Sequence, residues 1–195
     1  MIDPRHPDFH STPGSQRRAR YGYHPVDAAT PPAVSIVTPF LNTGEVFRET
    51  VASVLAQSFQ QWEWILVNDG STDPAAVALL NEFRTGDPRI RVVDHPENRG
   101  LSDARNTGFR EARTEYVVLL DSDDLLEPTA IEKWFWNLAT FPERVFVKGY
   151  GVSFGDRKYL WPHGFHEGPA FLTENLVDAT SMVRRSVHAQ VGGFD

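Results

Sequence analysis

The chain has 195 residues, of which 41% are hydrophobic and 23% are charged, a balance typical of one globular domain. Its 19 basic and 26 acidic residues give a formal net charge of −7, which argues against a nucleic-acid groove because such grooves need clustered Lys and Arg. There is no cysteine, which excludes disulfides, zinc–thiolate sites and thiol nucleophiles.

Neither a membrane span nor a secretory signal is visible in the sequence. The longest unbroken apolar run is six residues, 75–80, whereas a membrane-spanning helix needs about 20. The first 20 residues carry several charged side chains and lack the apolar segment of a signal peptide. We therefore expect a cytoplasmic domain, either free or peripheral at the inner face of a membrane.

Residues 1–32 differ in composition from the rest of the chain. Seven of the 14 prolines lie within the first 39 positions, and the segment shows neither helical nor strand periodicity. Such a segment buries too little apolar surface to offset its ordering entropy, so we predict a flexible leader. Its His6, His10 and His24 could act as metal ligands, but their spacing fits no ligand pattern that we can defend.

Strand and helix patterns alternate from Ala33 to Leu120. Short apolar runs predict strands, and the amphipathic stretches between them predict helices. This alternation is typical of a parallel sheet covered by helices on both faces, so we predict an α/β fold. Ligands bind such sheets at the carboxyl ends of the strands. The predicted strands are 34–37, 64–67, 90–93 and 116–120.

Three helices are predicted between these strands. The first would follow Asn42, which together with Glu45 resembles a capping box. The second would begin after Asp73, an N-cap followed by proline, and would end near Gly86. The third would span about 101–112. The apolar positions expected on the buried faces are Val46, Phe47, Val51, Val54 and Leu55 in the first helix, and Val77, Leu80 and Phe83 in the second.

The chain after Leu120 has weaker patterns. A helix is predicted to begin near Glu127, and its Trp134 and Leu138 are expected to pack in the core rather than bind a sugar. A hairpin is predicted to turn at 155–156. The remaining predicted elements are strands at 145–147 and 181–183, the hairpin over 152–161 and a helix over about 186–190.

Three carboxylates follow the fourth predicted strand: Asp121, Asp123 and Asp124. They would repel one another at the low-dielectric mouth of a sheet unless a cation were present. Mg²⁺ and Mn²⁺ prefer oxygen ligands, so this cluster is a candidate metal site. His163 or His166 could complete the coordination. The alternative interpretation is a solvated acidic turn that caps the next helix.

Two further strand-end residues are candidates for ligand binding. Asp69 directly follows the second strand, where its carboxylate could accept a hydrogen bond from a nucleobase. Arg105 would face the same crevice if 98–100 form the loop before the third helix, and its guanidinium suits a base edge or a phosphate. Each has a simpler interpretation, because 69–73 is a good turn sequence and Arg105 could be an exposed helix residue.

Five blocks of sequence, in the right order, resemble family 2 glycosyltransferases. Together they cover about residues 33–195. The first two resemble the opening of the family, the third its next block, the fourth its metal-binding DxD block, and the last a block ahead of the catalytic region. These blocks are 34–42, 67–73, 98–102 with 104–108, 119–124 and 191–195, and the helix end at 53–58, between the first two, also resembles the opening of the family.

The resemblance implies a GT-A fold, a Rossmann-like and mostly parallel sheet flanked by helices. It also implies transfer of a sugar from a nucleotide-diphosphate donor, commonly UDP-linked, to a glycan, lipid-linked or protein acceptor. The family usually inverts the anomeric centre, and Mg²⁺ or Mn²⁺ holds the diphosphate. By position, the nucleotide-binding residues would be Pro39, Phe40, Asn42, Asp69, Arg105 and Asp121, and the metal ligands would be Asp123 and Asp121.

The sequence departs from the family pattern in three respects. Leu41 stands where the family usually has Tyr, and Asn68 stands where an acidic residue is common. In the family, the block at 192–195 is followed by a segment that supplies the general base, whereas this sequence stops at Asp195. We therefore expect an incomplete domain whose donor side is present and whose catalytic base lies beyond Asp195.

Two other functions are compatible with these patterns. The chain could be a donor-binding module without activity, because the segment that carries the base is absent. It could also be a phosphohydrolase of the haloacid dehalogenase type, since 117–123 resembles the strand-borne aspartate nucleophile of that family. That family usually carries the motif on an early strand, and it leaves the block around Asp69 unexplained.

Overall fold

The computed structural model describes residues 31–154, 159–161 and 179–195. The predictions for the leader up to residue 30, for the hairpin turn at 155–156 and for His163 and His166 lie outside the described residues. In chain order the elements are β1 (Val34–Phe40), α1 (Phe47–Leu55), β2 (Trp62–Asn68), α2 (Pro74–Arg84), β3 (Ile90–Asp94), α3 (Leu101–Glu111), β4 (Tyr116–Leu119), α4 (Ala130–Thr140), β5 (Phe146–Lys148), β6 (Gly151–Ser153), β7 (Tyr159–Trp161), β8 (Ser181–Arg184) and α5 (Arg185–Val191).

A six-stranded sheet lies at the centre of the described structure, in the order β3-β2-β1-β4-β8-β5. The four strands predicted before residue 121 pair in parallel with one another. β8 runs antiparallel to both β4 and β5. β6 and β7 form a separate antiparallel pair, as the predicted hairpin requires. The predicted α/β architecture with a mostly parallel sheet is confirmed.

Helices cover both faces of the sheet. Side chains alternate between the two faces along each strand, so the apolar strands contribute to a hydrophobic cluster on each face. In β1, Ile36 packs into one hydrophobic cluster and Val37 into another. The first cluster contains residues of α1, α2 and α4, and the second contains residues of α3. Trp134 and Leu138 of α4 are buried in the first cluster, as predicted.

The capping box predicted at Asn42 is wrong. α1 begins only at Phe47, and its N-cap makes no side-chain hydrogen bond. Asn42 instead adopts a left-handed backbone conformation with φ 51°. Its side-chain oxygen accepts hydrogen bonds from the backbone amides of Thr72 and Asp73, both at 2.8 Å. Asn42 therefore joins the loop after β1 to the loop after β2, a contact that no local pattern contains.

The buried faces of the first two helices differ in part from the predictions. Val46 and Leu55 are exposed, and Thr50 takes a buried position of α1 instead. In α2 the buried residues include Ala76 and Leu79. The N-terminus of α2 is as predicted, since Asp73 accepts from the Ala75 amide at 2.8 Å and proline follows it. In the described parts of the chain, no helix has the length and apolar character needed to cross a membrane.

Candidate functional site at the strand ends

The order of the strands reverses at β1. The chain passes from β1 to β2 and β3 on one side, and α3 then returns it to β4 on the other side. Open α/β sheets bind ligands outside the carboxyl ends of the strands at such a reversal. The last residue of β4 pairs with Val37, three residues before β1 ends at Phe40. Residues 38–40 of β1 therefore extend beyond the last residue of β4 that pairs with this strand.

Pro39 lies in the part of β1 that extends beyond β4. The Val37 carbonyl accepts from the Leu120 amide on the β4 side, whereas the Phe40 carbonyl accepts from the Asp69 amide on the β2 side. The backbone N–H and C=O groups of successive strand residues point toward opposite neighbouring strands. The backbone of Pro39 therefore faces the β4 side, at a level beyond the last residue of β4. Because proline has no N–H, it cannot donate the next hydrogen bond of this ladder, and the pairing of β1 with β4 ends here.

The Phe40 side chain belongs to the hydrophobic core rather than to the surface at the end of β1. It is 1% exposed. Its ring meets the Phe47 ring edge-on, with 5.1 Å between the centroids. Both residues carried over from the end of β1 are thus buried: Pro39 lies beyond the end of β4, and Phe40 packs in the core.

Asp69 is held by three hydrogen bonds at the end of β2. Its Oδ1 accepts from the Arg99 amide at 2.9 Å and contacts His95 Nδ1 at 2.7 Å, and its Oδ2 accepts from the Gly100 amide at 2.9 Å. Burial by itself would raise the pKa of Asp69, but these hydrogen bonds outweigh burial and hold the pKa below its ordinary value. Asp69 is therefore a buried carboxylate that stays ionised at neutral pH.

The lowered pKa makes Asp69 a source of pH-dependent stability. The contribution is fully present above the unfolded-state pKa, near 3.8, and is lost as the pH falls through the lower folded-state pKa. We expect Asp69→Asn to lower the free energy of unfolding by about 2 kcal/mol at neutral pH. We also expect the variant to lose less stability than the wild type between about pH 6 and about pH 3. Urea unfolding at each pH measures both effects.

Glu97→Gln is the charge-matched control for this experiment, because Glu97 is an exposed carboxylate in the loop before α3. It should leave the free energy of unfolding at neutral pH close to that of the wild type. An acid dependence of stability that is identical in Asp69→Asn and the wild type would contradict the assignment.

α3 connects the strand ends to one another. Its residues 105–108 point in four directions, because a helix turns by about 100° per residue. Arg105 donates to Asp121 after β4, Asn106 bonds to Phe194 near the end of the chain, Thr107 bonds to His95 after β3, and Gly108 lies against Val37 of β1.

Arg105 neutralises part of the acidic cluster. Its Nη2 donates to both carboxylate oxygens of Asp121, at 2.8 and 3.1 Å. Asp124 turns toward Thr180, whose hydroxyl donates to it at 2.7 Å. Asp123 is exposed. The repulsion expected from the sequence is thus relieved in part by a protein cation and by a hydroxyl donor.

The backbone of the acidic loop is tied to the segment that follows β1. The Ser122 hydroxyl bonds to the Thr43 hydroxyl at 2.7 Å, and the buried Thr50 hydroxyl donates to the Ser122 carbonyl at 3.1 Å. Within residues 31–154, 159–161 and 179–195, no group of three or more His, Asp or Glu side chains is arranged to hold a metal ion. Any metal at this loop would therefore depend on one or two carboxylates.

Comparison with known proteins decides the family. Residues 35–192 match the model of Glycosyl transferase family 2, which is most of the chain. The chain belongs to this family. The resemblance that the five sequence blocks predicted is confirmed, and the alternative of a haloacid dehalogenase-type phosphohydrolase is wrong.

Similar proteins agree with this membership. The chain is 32% identical over 173 residues to the O-antigen biosynthesis protein RfbC of Myxococcus xanthus, and this match covers 84% of this chain and 13% of that protein. It is 36% identical over 118 residues to the glycosyltransferase GlyG of Streptococcus pneumoniae, and this second match covers 60% of this chain and 38% of that protein. The chain thus spans much less than the full length of these curated relatives.

The fold is that of a known GT-A structure. The mannosyltransferase PcManGT from Pyrobaculum calidifontis, solved in complex with GDP-Man and Mn²⁺, superposes with a TM-score of 0.62 at 23% sequence identity. The match covers 92% of this chain and 53% of that chain. The GT-A fold predicted from the sequence is confirmed.

Sequence reasoning missed three polar residues of this region. His95 bonds to Asp69 through Nδ1 and to Thr107 through Nε2, and both hydrogen bonds are buried. Asn106 accepts from the Phe194 amide at 2.9 Å and donates to its carbonyl at 2.8 Å, which fastens the block at 191–195 to α3. His95 and Asn106 lie within or beside sequence blocks that the family resemblance marked, but their partners are distant in sequence.

Proposed function

We propose that this family member carries the donor site of a glycosyltransferase that moves a sugar from a nucleotide diphosphate, with UDP favoured, to a glycan, lipid-linked or protein acceptor. One observation carries the proposal. Two carboxylate positions of different character flank the end of β1: a buried, ionised Asp69 after β2 and an exposed Asp123 after β4. The comparisons favour a transferase over a donor-binding module without activity.

Asp69 would recognise the base of the nucleotide. Its Oδ1 already accepts two hydrogen bonds, whereas Oδ2 accepts one among the described residues, from Gly100. A carboxylate oxygen has two acceptor positions, so Oδ2 retains one for a ligand N–H. The ring N–H of uracil suits that position, and so does the ring N–H of guanine. The corresponding ring nitrogen of cytosine carries no hydrogen and would face the carboxylate as a second acceptor.

Asp123, assisted by Asp121, would hold the divalent cation. The oxygen-only chemistry of these side chains fits Mg²⁺ or Mn²⁺, which commonly bind through one or two carboxylates together with water and phosphate oxygens. When bound, such an ion stabilises the negative charge of a leaving diphosphate. Arg105 would keep Asp121 in place through its ion pair and would add positive charge beside the phosphates.

The proposed reaction is a direct displacement at the anomeric carbon, which inverts its configuration. An arrangement with the base on the β2 side and the diphosphate on the β4 side places the donor across the end of β1, with Pro39 beneath it. Asn42 would stabilise the rim, because it joins the loops after β1 and β2. We further propose a cytoplasmic location.

Base selectivity tests the assignment of Asp69. With Mn²⁺ present, we expect UDP to bind at least about tenfold more tightly than CDP, because cytosine would leave the buried carboxylate facing an acceptor. GDP binding, measured alongside, shows whether guanine also satisfies Oδ2. Isothermal titration calorimetry with each nucleotide gives the dissociation constants.

Inorganic pyrophosphate is the control ligand, since it lacks the base. Equal affinities of UDP, CDP and pyrophosphate would contradict a base pocket at Asp69. Failure of every nucleotide to bind would contradict the proposed donor site as a whole.

A further inference from the structure

A buried chain of hydrogen bonds leads from Asp69 into α3. His95 Nδ1 lies 2.7 Å from Asp69 Oδ1, and His95 Nε2 lies 2.9 Å from Thr107 Oγ1. Arg110 continues the chain by donating from Nη2 to Thr107 Oγ1 at 2.7 Å. The Asp69 and His95 side chains are each 4% exposed. Asp69, His95 and Thr107 thus form one buried polar network beneath the strand ends, and the exposed Arg110 bonds to it from α3.

The directions of these hydrogen bonds follow from the donor and acceptor capacities of the groups. Asp69 is ionised and can only accept, so His95 must donate through Nδ1. Arg110 can only donate, so it occupies one acceptor position of the Thr107 hydroxyl. The Thr107 hydroxyl keeps its hydrogen and its second lone pair for the contact with His95 Nε2. Each side-chain nitrogen and oxygen of the three buried members, Asp69, His95 and Thr107, has a partner, as buried polar groups require.

The backbone around His95 gives this network a rigid support. The His95 amide donates to the Asn68 carbonyl at 2.8 Å, which attaches the residue to the end of β2. The other two donors to Asp69 are the amides of Arg99 and Gly100, at the start of α3. His95 is the only side-chain donor to this carboxylate among the described residues, so it contributes the constraint that a substitution can remove most selectively.

We propose that His95 is a positioning residue for the donor base. By donating to Oδ1, it fixes the plane of the Asp69 carboxylate so that Oδ2 presents its remaining acceptor position to the ligand. Through Thr107, His95 also links the base pocket to α3. The same helix carries Arg105, which pairs with Asp121 after β4. This inference rests on the proposed function, because it assigns His95 a role in recognising the nucleotide base.

Two amide substitutions of His95 separate its hydrogen bond to Asp69 from the space that its ring fills. In His95→Asn the side-chain NH₂ occupies roughly the place of Nδ1 and can still donate to Asp69, whereas in His95→Gln the NH₂ reaches roughly the place of Nε2. We expect His95→Gln to weaken UDP binding about tenfold and to leave pyrophosphate binding within about twofold of the wild type. We expect His95→Asn to recover most of the UDP affinity. All titrations are made with the full chain and Mn²⁺.

Thr107→Val and Thr107→Ser form a second pair that leaves His95 in place. Valine removes the hydroxyl that orients the ring, and serine retains it. Thr107→Val is expected to lower UDP affinity severalfold and Thr107→Ser to lower it less. This pair decides the matter if His95→Gln fails to fold, as judged by circular dichroism and thermal unfolding.

The outcomes distinguish this inference from the proposed function. If the wild type binds UDP no more tightly than pyrophosphate, the base pocket is wrong and the role of His95 falls with it. If the wild type prefers UDP but His95→Gln keeps that preference, only the role of His95 is overturned. Equal losses for UDP and pyrophosphate, or equal UDP affinities of the Asn and Gln variants, would also overturn it, since they indicate a structural role alone.

Discussion

Replacing Asp123 with asparagine is expected to abolish the Mn²⁺-dependent part of UDP binding while leaving the fold intact. Asp123 is exposed in the loop after β4, so the substitution disturbs no packing. It removes the negative charge that a hard divalent cation requires, and an amide oxygen is a much weaker ligand. Because the proposed site has at most two carboxylates, the loss of one should leave no measurable stabilisation of UDP by Mn²⁺.

Calorimetric titration of UDP with Mn²⁺ and with EDTA measures this effect in each protein. Glu143→Gln changes the net charge equally and alters an exposed carboxylate between α4 and β5, so it is the matched control. Its Mn²⁺-dependent affinity should equal that of the wild type. Unchanged Mn²⁺ dependence in Asp123→Asn would remove this residue from the metal site.

Replacing Gly108 with alanine is expected to lower the free energy of unfolding by about 3 kcal/mol, the upper part of the range for overpacked cores. A Cβ at position 108 would lie 2.1 Å from Val37 Cγ1 and 3.0 Å from Cγ2. Val37 is fully buried in the central strand, and its β-branched side chain is restricted at χ1, so its methyl groups have little room to move aside. α3 carries Arg105 and Thr107, so displacement of this helix should also weaken nucleotide binding.

Urea unfolding of Gly108→Ala beside Gly44→Ala provides the comparison. A Cβ at Gly44 meets nothing within 4 Å, so that variant should unfold near the wild-type midpoint. Adding Val37→Ala to Gly108→Ala removes the clashing methyl groups, and the double variant should be more stable than the sum of the two single effects predicts. Additive effects, or a Gly108→Ala variant as stable as the wild type, would show that α3 does not approach β1 this closely.

Local sequence patterns were sufficient for most of the architecture. β1, β2 and β4 are buried along nearly their whole length, and strands buried on both faces read as continuous apolar runs. The start of α2 was predictable because Asp73 and the proline after it form a local signal. Asn42 was misassigned because its partners lie 30 and 31 residues further along the chain, beyond any capping pattern.

The candidate site was predictable in its positions but not in its interactions. The parallel topology directs attention to the residue after each strand, and this rule together with the family blocks singles out Asp69, Asp121 and Asp123. The sequence could not show that Arg105 is committed to Asp121, since whether that arginine meets a carboxylate or solvent depends on how α3 packs on the sheet. It likewise could not reveal His95, which only the packing of β3 beside β2 brings against Asp69.

The sequence by itself determined the strand–helix alternation, the family and the carboxylates at the strand ends, because each is encoded in short-range periodicity or in contiguous blocks. Only the tertiary structure decided the state of those carboxylates. Asp69 became a fixed, ionised acceptor through donors 26 to 31 residues away, Asp121 became the partner of an arginine, and Asp123 remained exposed. Burial, hydrogen bonding and nearby charge set the behaviour of a carboxyl group, and all three depend on which distant segments the fold brings beside it.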